Sequence, residues 1–162
     1  MKQQVPILAV LTLTMVSSCV VFPSNRPESG IGVVREEGRL KVIVRSCPGS
    51  DVVEVRLSDQ NGWLWKVASE GKGHSIFRQE IGVAPEGWKT DVPLKQSLAP
   101  NVSYGFGKTT SKGSMASVAL VPLDLKDGMV LSDRGSVSEE EFMSANIGCL
   151  TRPSSASSVP PA

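Results

Sequence analysis

Residues 51–67 read DVVEVRLSDQNGWLWKV, and this stretch decides the fold class. Its first half alternates apolar with polar side chains from Val53 to Leu57, the period of two that is typical of a β-strand with one buried face. Asn61-Gly62 then precedes a second apolar run, and both residue types tolerate the positive φ angles of a tight hairpin turn. The stretch therefore predicts an antiparallel hairpin and an all-β domain.

Alternating segments repeat the strand pattern on both sides of this hairpin. An earlier hairpin is predicted around Gly38, with one wet face on which Ile43 is an exception. Lys112-Gly113 supplies a turn between the last two strands. The strands predicted besides those of residues 51–67 lie at residues 31–34, 40–44, 75–81, 89–94, 102–110 and 114–121.

A single short helix is predicted near the end of the domain. The tetrapeptide Ser138–Glu141 (SEEE) has the form of a capping box, in which the serine oxygen accepts from the amide three residues on. Its three acidic side chains also suit the positive end of the helix dipole. The helix is expected to run from Glu139 to about Asn146, with Phe142 as a packing residue and Gly148 as its stop.

The N-terminus has the pattern of an export signal. Lys2 is followed by the apolar run Val5–Val16, which is shorter than the roughly 20 residues that span a bilayer. Val16–Cys19 (VSSC) resembles the bacterial lipobox, which is an aliphatic residue, two small or polar residues and a cysteine. The resemblance implies a signal peptide at 1–18 and a diacylglycerol on Cys19, which would anchor the chain at the extracytoplasmic face of the cell membrane. Ordinary secretion with an unmodified cysteine is the alternative.

A tether, one domain and a tail are expected after the signal. Residues 19–29 contain two prolines and few periodic apolar residues, as expected of a tether. The β-domain is assigned to residues 30–150. Residues 151–162 read TRPSSASSVPPA and have no core-forming pattern, so a disordered tail is predicted there.

The charge balance argues against a nucleic-acid partner and against electrostatic binding to a membrane surface. The chain has 17 Lys and Arg residues against 16 Asp and Glu residues, and removal of the signal would leave the two numbers equal. Nucleic-acid binding depends on basic side chains that neutralise phosphates, so no nucleic-acid partner is expected. The chain also has no polybasic cluster, so lipid at the N-terminus would have to supply the membrane contact.

The cysteines predict one disulfide. With Cys19 assigned to lipid, Cys47 and Cys149 remain, and an even remainder in an exported protein is typical of a bridge. The bridge would close a loop of about a hundred residues and tie the last element to the first hairpin. A buried pair of thiols is the alternative.

The segment Leu98–Tyr104 (LAPNVSY) has the spacing L-x-P-x-x-x-Y directly before a predicted strand. It resembles the tyrosine corner of fibronectin type III and other immunoglobulin-like sandwiches, in which the tyrosine hydroxyl bonds to backbone a few residues upstream. The resemblance implies an immunoglobulin-like antiparallel β-sandwich of about seven strands, with Tyr104 at the corner. The whole chain also resembles small actinomycete lipoproteins, a likeness that carries no activity.

Reactive constellations are scarce in the sequence. His74 is the only histidine, so a multi-histidine zinc site is excluded. No catalytic, metal or cofactor site is predicted. Asp51, Glu54 and Asp59 could serve a cell-envelope hydrolase with paired carboxylates, although their spacing is not diagnostic.

The three tryptophans are the remaining candidates for a binding surface. Trp63 and Trp65 are two residues apart and are expected on the same strand face, either in the core or as an exposed platform for sugars or peptides. Trp88 follows Pro85-Glu86-Gly87 and is expected in a loop at the surface, where a partner would bind.

The sequence therefore favours a lipid-anchored, extracytoplasmic binding or structural module without catalysis. Its partner would be an envelope protein or a cell-wall glycan. The alternatives are the cell-envelope hydrolase and an accessory subunit of an envelope protein complex, the second signalled by an exposed apolar patch or an unpaired edge strand.

Overall fold

The computed structural model describes residues 29–149, which form a β-sandwich of two five-stranded antiparallel sheets and one short helix. In spatial order, sheet A consists of β10 (Gly135–Val137), β9 (Val130–Ser132), β1 (Ile31–Glu36), β2 (Arg39–Arg45) and β5 (Ile76–Glu80). Sheet B consists of β6 (Trp88–Val92), β4 (Gly62–Ser69), β3 (Val52–Asp59), β7 (Tyr104–Thr110) and β8 (Met115–Leu120). The helix α1 is Glu139–Ser144, and a 3₁₀ turn occupies Pro122–Asp124.

The main core lies between the two sheets. Alternate residues of the long strands point inward, and Trp65, Phe77 and Phe106 are the largest fully buried side chains there. Burial of an aliphatic or phenylalanine side chain of this kind stabilises the fold by about 1.5 to 3 kcal/mol relative to exposure. The prediction of an all-β fold is therefore confirmed.

A second, smaller core covers the outer face of sheet A. Phe142 of α1 packs there on Val34, Ile43 and Val130. The helix thus explains why Ile43 breaks the polar pattern of its strand. The outer face of sheet A was expected to be exposed to solvent, but α1 covers it at Ile43. Gly32 lies beneath the same ring, where a Cβ atom would collide with Val130 and Phe142.

Several bonds fix α1 on sheet A. The Ser138 hydroxyl oxygen accepts from the Glu141 amide at 3.1 Å, which is the cap that the sequence predicts. Arg78 of β5 forms ion pairs with Glu139 and with Glu36 of β1. The helix therefore starts at a point that is tied to two strands of the sheet.

The far end of α1 is held by an arginine and by a covalent bond. Arg45 at the end of β2 donates to the carbonyl oxygens of Phe142 and Ala145. Cys47 and Cys149 are joined in a disulfide, with 5.3 Å between their Cα atoms. This pairing, which the sequence predicts, ties the last described residue to the first hairpin.

Three local expectations differ from the structure. Residues 29–149 contain ten strands instead of about seven, and the sequence pattern misses the strands β9 and β10 because three residues are too few to show a period. The helix ends at Ser144 rather than near Asn146. At the hairpin of β3 and β4, Gly62 has a positive φ of 133° but Asn61 does not, because the Asp59 carboxylate accepts from the Asn61 amide at 2.7 Å and shapes the turn.

The predicted signal peptide at 1–18, the lipid site Cys19 and the predicted tail at 151–162 lie outside the described residues. Within residues 29–149, no helix has the length and apolar character of a membrane span.

Candidate functional site

The structure separates the two tryptophans that the sequence places together. Across the hairpin, Trp65 pairs with Leu57 but Trp63 pairs with Ser58, so Leu64 is an extra residue in a β-bulge. Trp65 is fully buried in the core, whereas Trp63 is 55% exposed on the outer face of sheet B. The expectation that both share one face is wrong, because a bulge shifts the alternation by one residue.

Trp63 forms one wall of a shallow groove on this outer face. The groove has a volume of about 270 Å³ and runs between β3, β4, β7 and β8. Its floor is formed by Gly105 and Gly107, and a Cβ atom on either would come within 2.8 Å of Ser58 or Arg56. The two glycines thus keep the groove open beside the tryptophan; we call it the Trp63 groove.

Arg56 holds the tryptophan in place. Its guanidinium lies 5.3 Å from the centre of the Trp63 ring, in cation–π geometry. The same guanidinium donates to Glu54 Oε1 at 2.7 Å and to Thr109 Oγ1 at 3.1 Å. An aromatic face fixed in this way loses little side-chain entropy when a ligand stacks on it.

A line of alternating charges continues from Arg56 across β4. Glu54 also pairs with Lys66 at 3.0 Å, and Lys66 lies 3.7 Å from Asp91 of β6. Burial opposes ionisation of Glu54, but hydrogen bonds from Lys66 and Arg56 outweigh it and lower the pKa of this carboxyl. Glu54 is therefore an ionised partner of two cations.

Trp88 is not a surface residue. It is the first residue of β6 and only 8% exposed, with its ring 4.8 Å from Phe77 and stacked on His74 at 5.8 Å. The Pro-Glu-Gly segment does form a loop, but the strand begins at Trp88 itself and directs the side chain inward. The expectation that Trp88 lies at the surface is wrong, and the exposed tryptophan is Trp63.

A second concave site, a cleft of about 400 Å³ at one end of the sandwich, contains a buried lysine. Lys108 of β7 is only 7% exposed, and its ammonium group donates to the carbonyl oxygen of Arg45. Cys47 and Ile147 line the cleft, so the disulfide forms part of its wall. We call this site the Lys108 cleft.

Burial perturbs the ionisation of this lysine. Desolvation, followed by the nearby positive charge of Arg45, lowers the pKa of Lys108 to about 8, while Asp133 acts in the opposite direction. The sequence contains a signal for this residue, since Tyr104, Phe106 and Lys108 lie two apart and share the inward face of β7.

Tyr104 is the first residue of β7 and bonds to backbone upstream of it. The ring is buried, and the hydroxyl oxygen accepts a hydrogen bond from the Ala99 amide, five residues upstream, at 2.8 Å. The bond fixes the segment that leads into β7, and β7 supplies residues to both the Trp63 groove and the Lys108 cleft.

The carboxylates considered for hydrolysis do not converge. Asp51 and Asp59 lie at opposite ends of β3, about 25 Å apart at the usual strand rise. Glu54 is paired with cations, and none of the three lines the Trp63 groove or the Lys108 cleft. Within residues 29–149, no group of three or more His, Cys, Asp and Glu side chains is placed to hold a metal ion.

Comparison of the chain with protein-family models, with curated proteins and with solved structures found no match.

Proposed function

We propose that the protein is a lipid-anchored, extracytoplasmic binding module without a catalytic role, and that it holds a strand of envelope polysaccharide in the Trp63 groove. The observation that carries this proposal is the exposed Trp63 ring, fixed by Arg56 beside a glycine floor. Sugar rings present apolar C–H faces that stack on an indole and hydroxyls that bond to polar side chains. Arg56 and Ser58 stand beside the ring to supply those bonds.

The proposed fold family is the immunoglobulin-like sandwich. Its support is the two-sheet antiparallel architecture together with the buried Tyr104 and its bond to the Ala99 amide. A rigid sandwich suits binding, because it presents a preformed face at little cost in conformational entropy.

The anchor is tested at Cys19. Cys19→Ser should abolish incorporation of labelled fatty acid and move the protein from the membrane fraction to the secreted or periplasmic fraction, since the lipobox cysteine would be the only acceptor. Cys47→Ser is the matched control, because it removes a different thiol and should leave the label in place. Uptake of label by the Cys19→Ser protein would contradict the anchor.

The groove is tested at Trp63. Trp63→Ala should weaken retention on insoluble envelope polysaccharide by about tenfold or more, the loss typical of a tryptophan at the centre of a binding surface. Leu123→Ala is the matched control, since Leu123 is also exposed, at 68%, but lies outside the groove. Retention is measured by co-sedimentation. Equal retention of both variants would refute the groove as the binding surface.

Trp63→Phe makes the test more specific. It keeps an aromatic face over which Arg56 can lie, so it should retain more binding than Trp63→Ala. Unchanged denaturation midpoints for both substitutions would show that the loss arises at the surface and not from unfolding. If a polypeptide and not a glycan were held, protease treatment of the envelope material would remove binding and overturn the polysaccharide assignment.

A further inference from the structure

We propose that the Lys108 cleft is a second binding site, distinct from the Trp63 groove, and that it takes a phosphate group. The proposal concerns a cavity that lies on the opposite side of β7 from the groove, because Lys108 points inward while Gly105 and Gly107 point outward. The two sites can therefore be tested separately.

Within the described part of the chain, the buried ammonium group has no carboxylate in ion-pair contact. An ammonium group has three N–H donors, and the Arg45 carbonyl oxygen accepts from Lys108. Among residues 29–149, no carboxylate lies within ion-pair distance of Lys108. A charge buried without a counter-ion is costly, so an anion in the cleft would recover part of the lost solvation.

Other hydrogen-bond donors line the same cleft as the lysine. Four residues that carry hydroxyl groups line it, and so does the exposed Lys112; the four are Ser46, Ser50, Thr110 and Ser114. Phosphate has up to four acceptor oxygens and most of two negative charges, which match two ammonium groups and several hydroxyls better than a carboxylate does. Of the residues between 29 and 149 that line the cleft, none carries a carboxylate side chain that would repel the anion.

The position of the cleft indicates where a phosphate could come from. Ser29 lines the cleft, and its amide donates to the Asp133 carboxylate at 2.9 Å. The first described residue is therefore fixed to the domain. Ser29 is ten positions after Cys19, and an extended chain of ten residues reaches at most about 36 Å. If Cys19 carries the proposed lipid, the cleft lies within reach of phospholipid headgroups, whereas free phosphate needs no anchor.

Protonation of the lysine couples phosphate binding to pH. The charged groups that act on Lys108 are Arg45 and Asp133, and Lys112 shares the cleft. With the pKa of Lys108 at about 8, its ammonium form is lost at higher pH, and phosphate should bind less tightly there. Bound phosphate should in turn raise the pKa of Lys108 by the same linkage.

The first arm of the experiment uses inorganic phosphate. The exported protein carrying Cys19→Ser is titrated by calorimetry at about pH 7 and about pH 10, on either side of the Lys108 pKa. Lys108→Met should lower the affinity by about tenfold or more, since it removes a charge-assisted hydrogen bond. Lys112→Met should lower it less, and Lys95→Met, an exposed lysine outside the cleft, should leave it unchanged.

The second arm replaces phosphate with vesicles. Lys108-dependent binding to phosphatidylglycerol vesicles, but not to phosphatidylcholine vesicles, would identify a headgroup phosphodiester, whereas binding of inorganic phosphate alone would identify a free anion. Both outcomes support the site, and neither depends on binding at Trp63. The proposal is overturned if neither ligand binds, or if Lys95→Met weakens binding as much as Lys108→Met and Lys112→Met do.

Discussion

Replacement of both Cys47 and Cys149 by serine is expected to lower the free energy of unfolding by about 4 kcal/mol. The two cysteines are 102 residues apart in sequence, so the bridge removes a large part of the freedom of the unfolded chain. A loss of this size is a major fraction of the roughly 5 to 15 kcal/mol that stabilises a single domain. Denaturant unfolding of the purified unsubstituted protein and of the double-serine variant measures the difference in the free energy of unfolding.

A reducing agent supplies the control for the disulfide. It should lower the midpoint of the unsubstituted protein and leave that of the double-serine variant unchanged. Arg45 still bonds to the carbonyls of Phe142 and Ala145 in that variant, so α1 should remain on sheet A in the folded state. An unsubstituted protein whose midpoint ignores the reducing agent would show that the bridge contributes nothing.

The strands that can be predicted from the sequence are the long ones with a regular period. The pattern places β3 and β4 and locates β5, β6, β7 and β8 to within a few residues, because each has several alternating side chains. It misses β9 and β10, which have three residues each and are defined by pairing with β1 and with each other. Pairing of that kind is a tertiary property, and no local pattern records it.

The candidate sites are harder to predict, because each depends on one local departure from regularity. The bulge at Leu64 turns the Trp63 side chain outward. Such a one-residue shift cannot be recognised from the sequence, because Trp63, Leu64 and Trp65 are all large and apolar. Trp88 is the first residue of its strand and follows a loop. At such a position the sequence does not determine whether the side chain points into the core or toward solvent. Lys108 could have been found from the period of β7, although its lack of a carboxylate partner among the described residues is visible only in three dimensions.

The second large effect concerns Lys108 itself, and its expected sign is stabilising. Lys108→Met keeps an unbranched side chain of similar length. It removes a positive charge whose burial destabilises the folded state. The pKa of Lys108 falls from an ordinary 10.5 to about 8, which corresponds to roughly 3 kcal/mol at neutral pH. Loss of the bond to the Arg45 carbonyl offsets about 1 kcal/mol of this, so a net gain of about 2 kcal/mol is expected.

The pH dependence decides whether burial of charge is the cause. Between about pH 8 and pH 10.5 the folded protein has released the Lys108 proton while the unfolded chain still holds it, so the stability contribution of this group rises with pH. The stability gained by Lys108→Met should therefore be full below pH 8 and vanish above about pH 10.5.

Lys66→Met is the matched control. Hydrogen bonding to Glu54 raises the pKa of Lys66, so loss of this lysine should destabilise the fold at neutral pH. A Lys108→Met protein that is less stable at pH 7, or whose advantage ignores pH, would refute the account. The expected result bears on function: a buried charge that lowers stability is typical of a functional site, and phosphate binding in the Lys108 cleft is the function proposed for this charge.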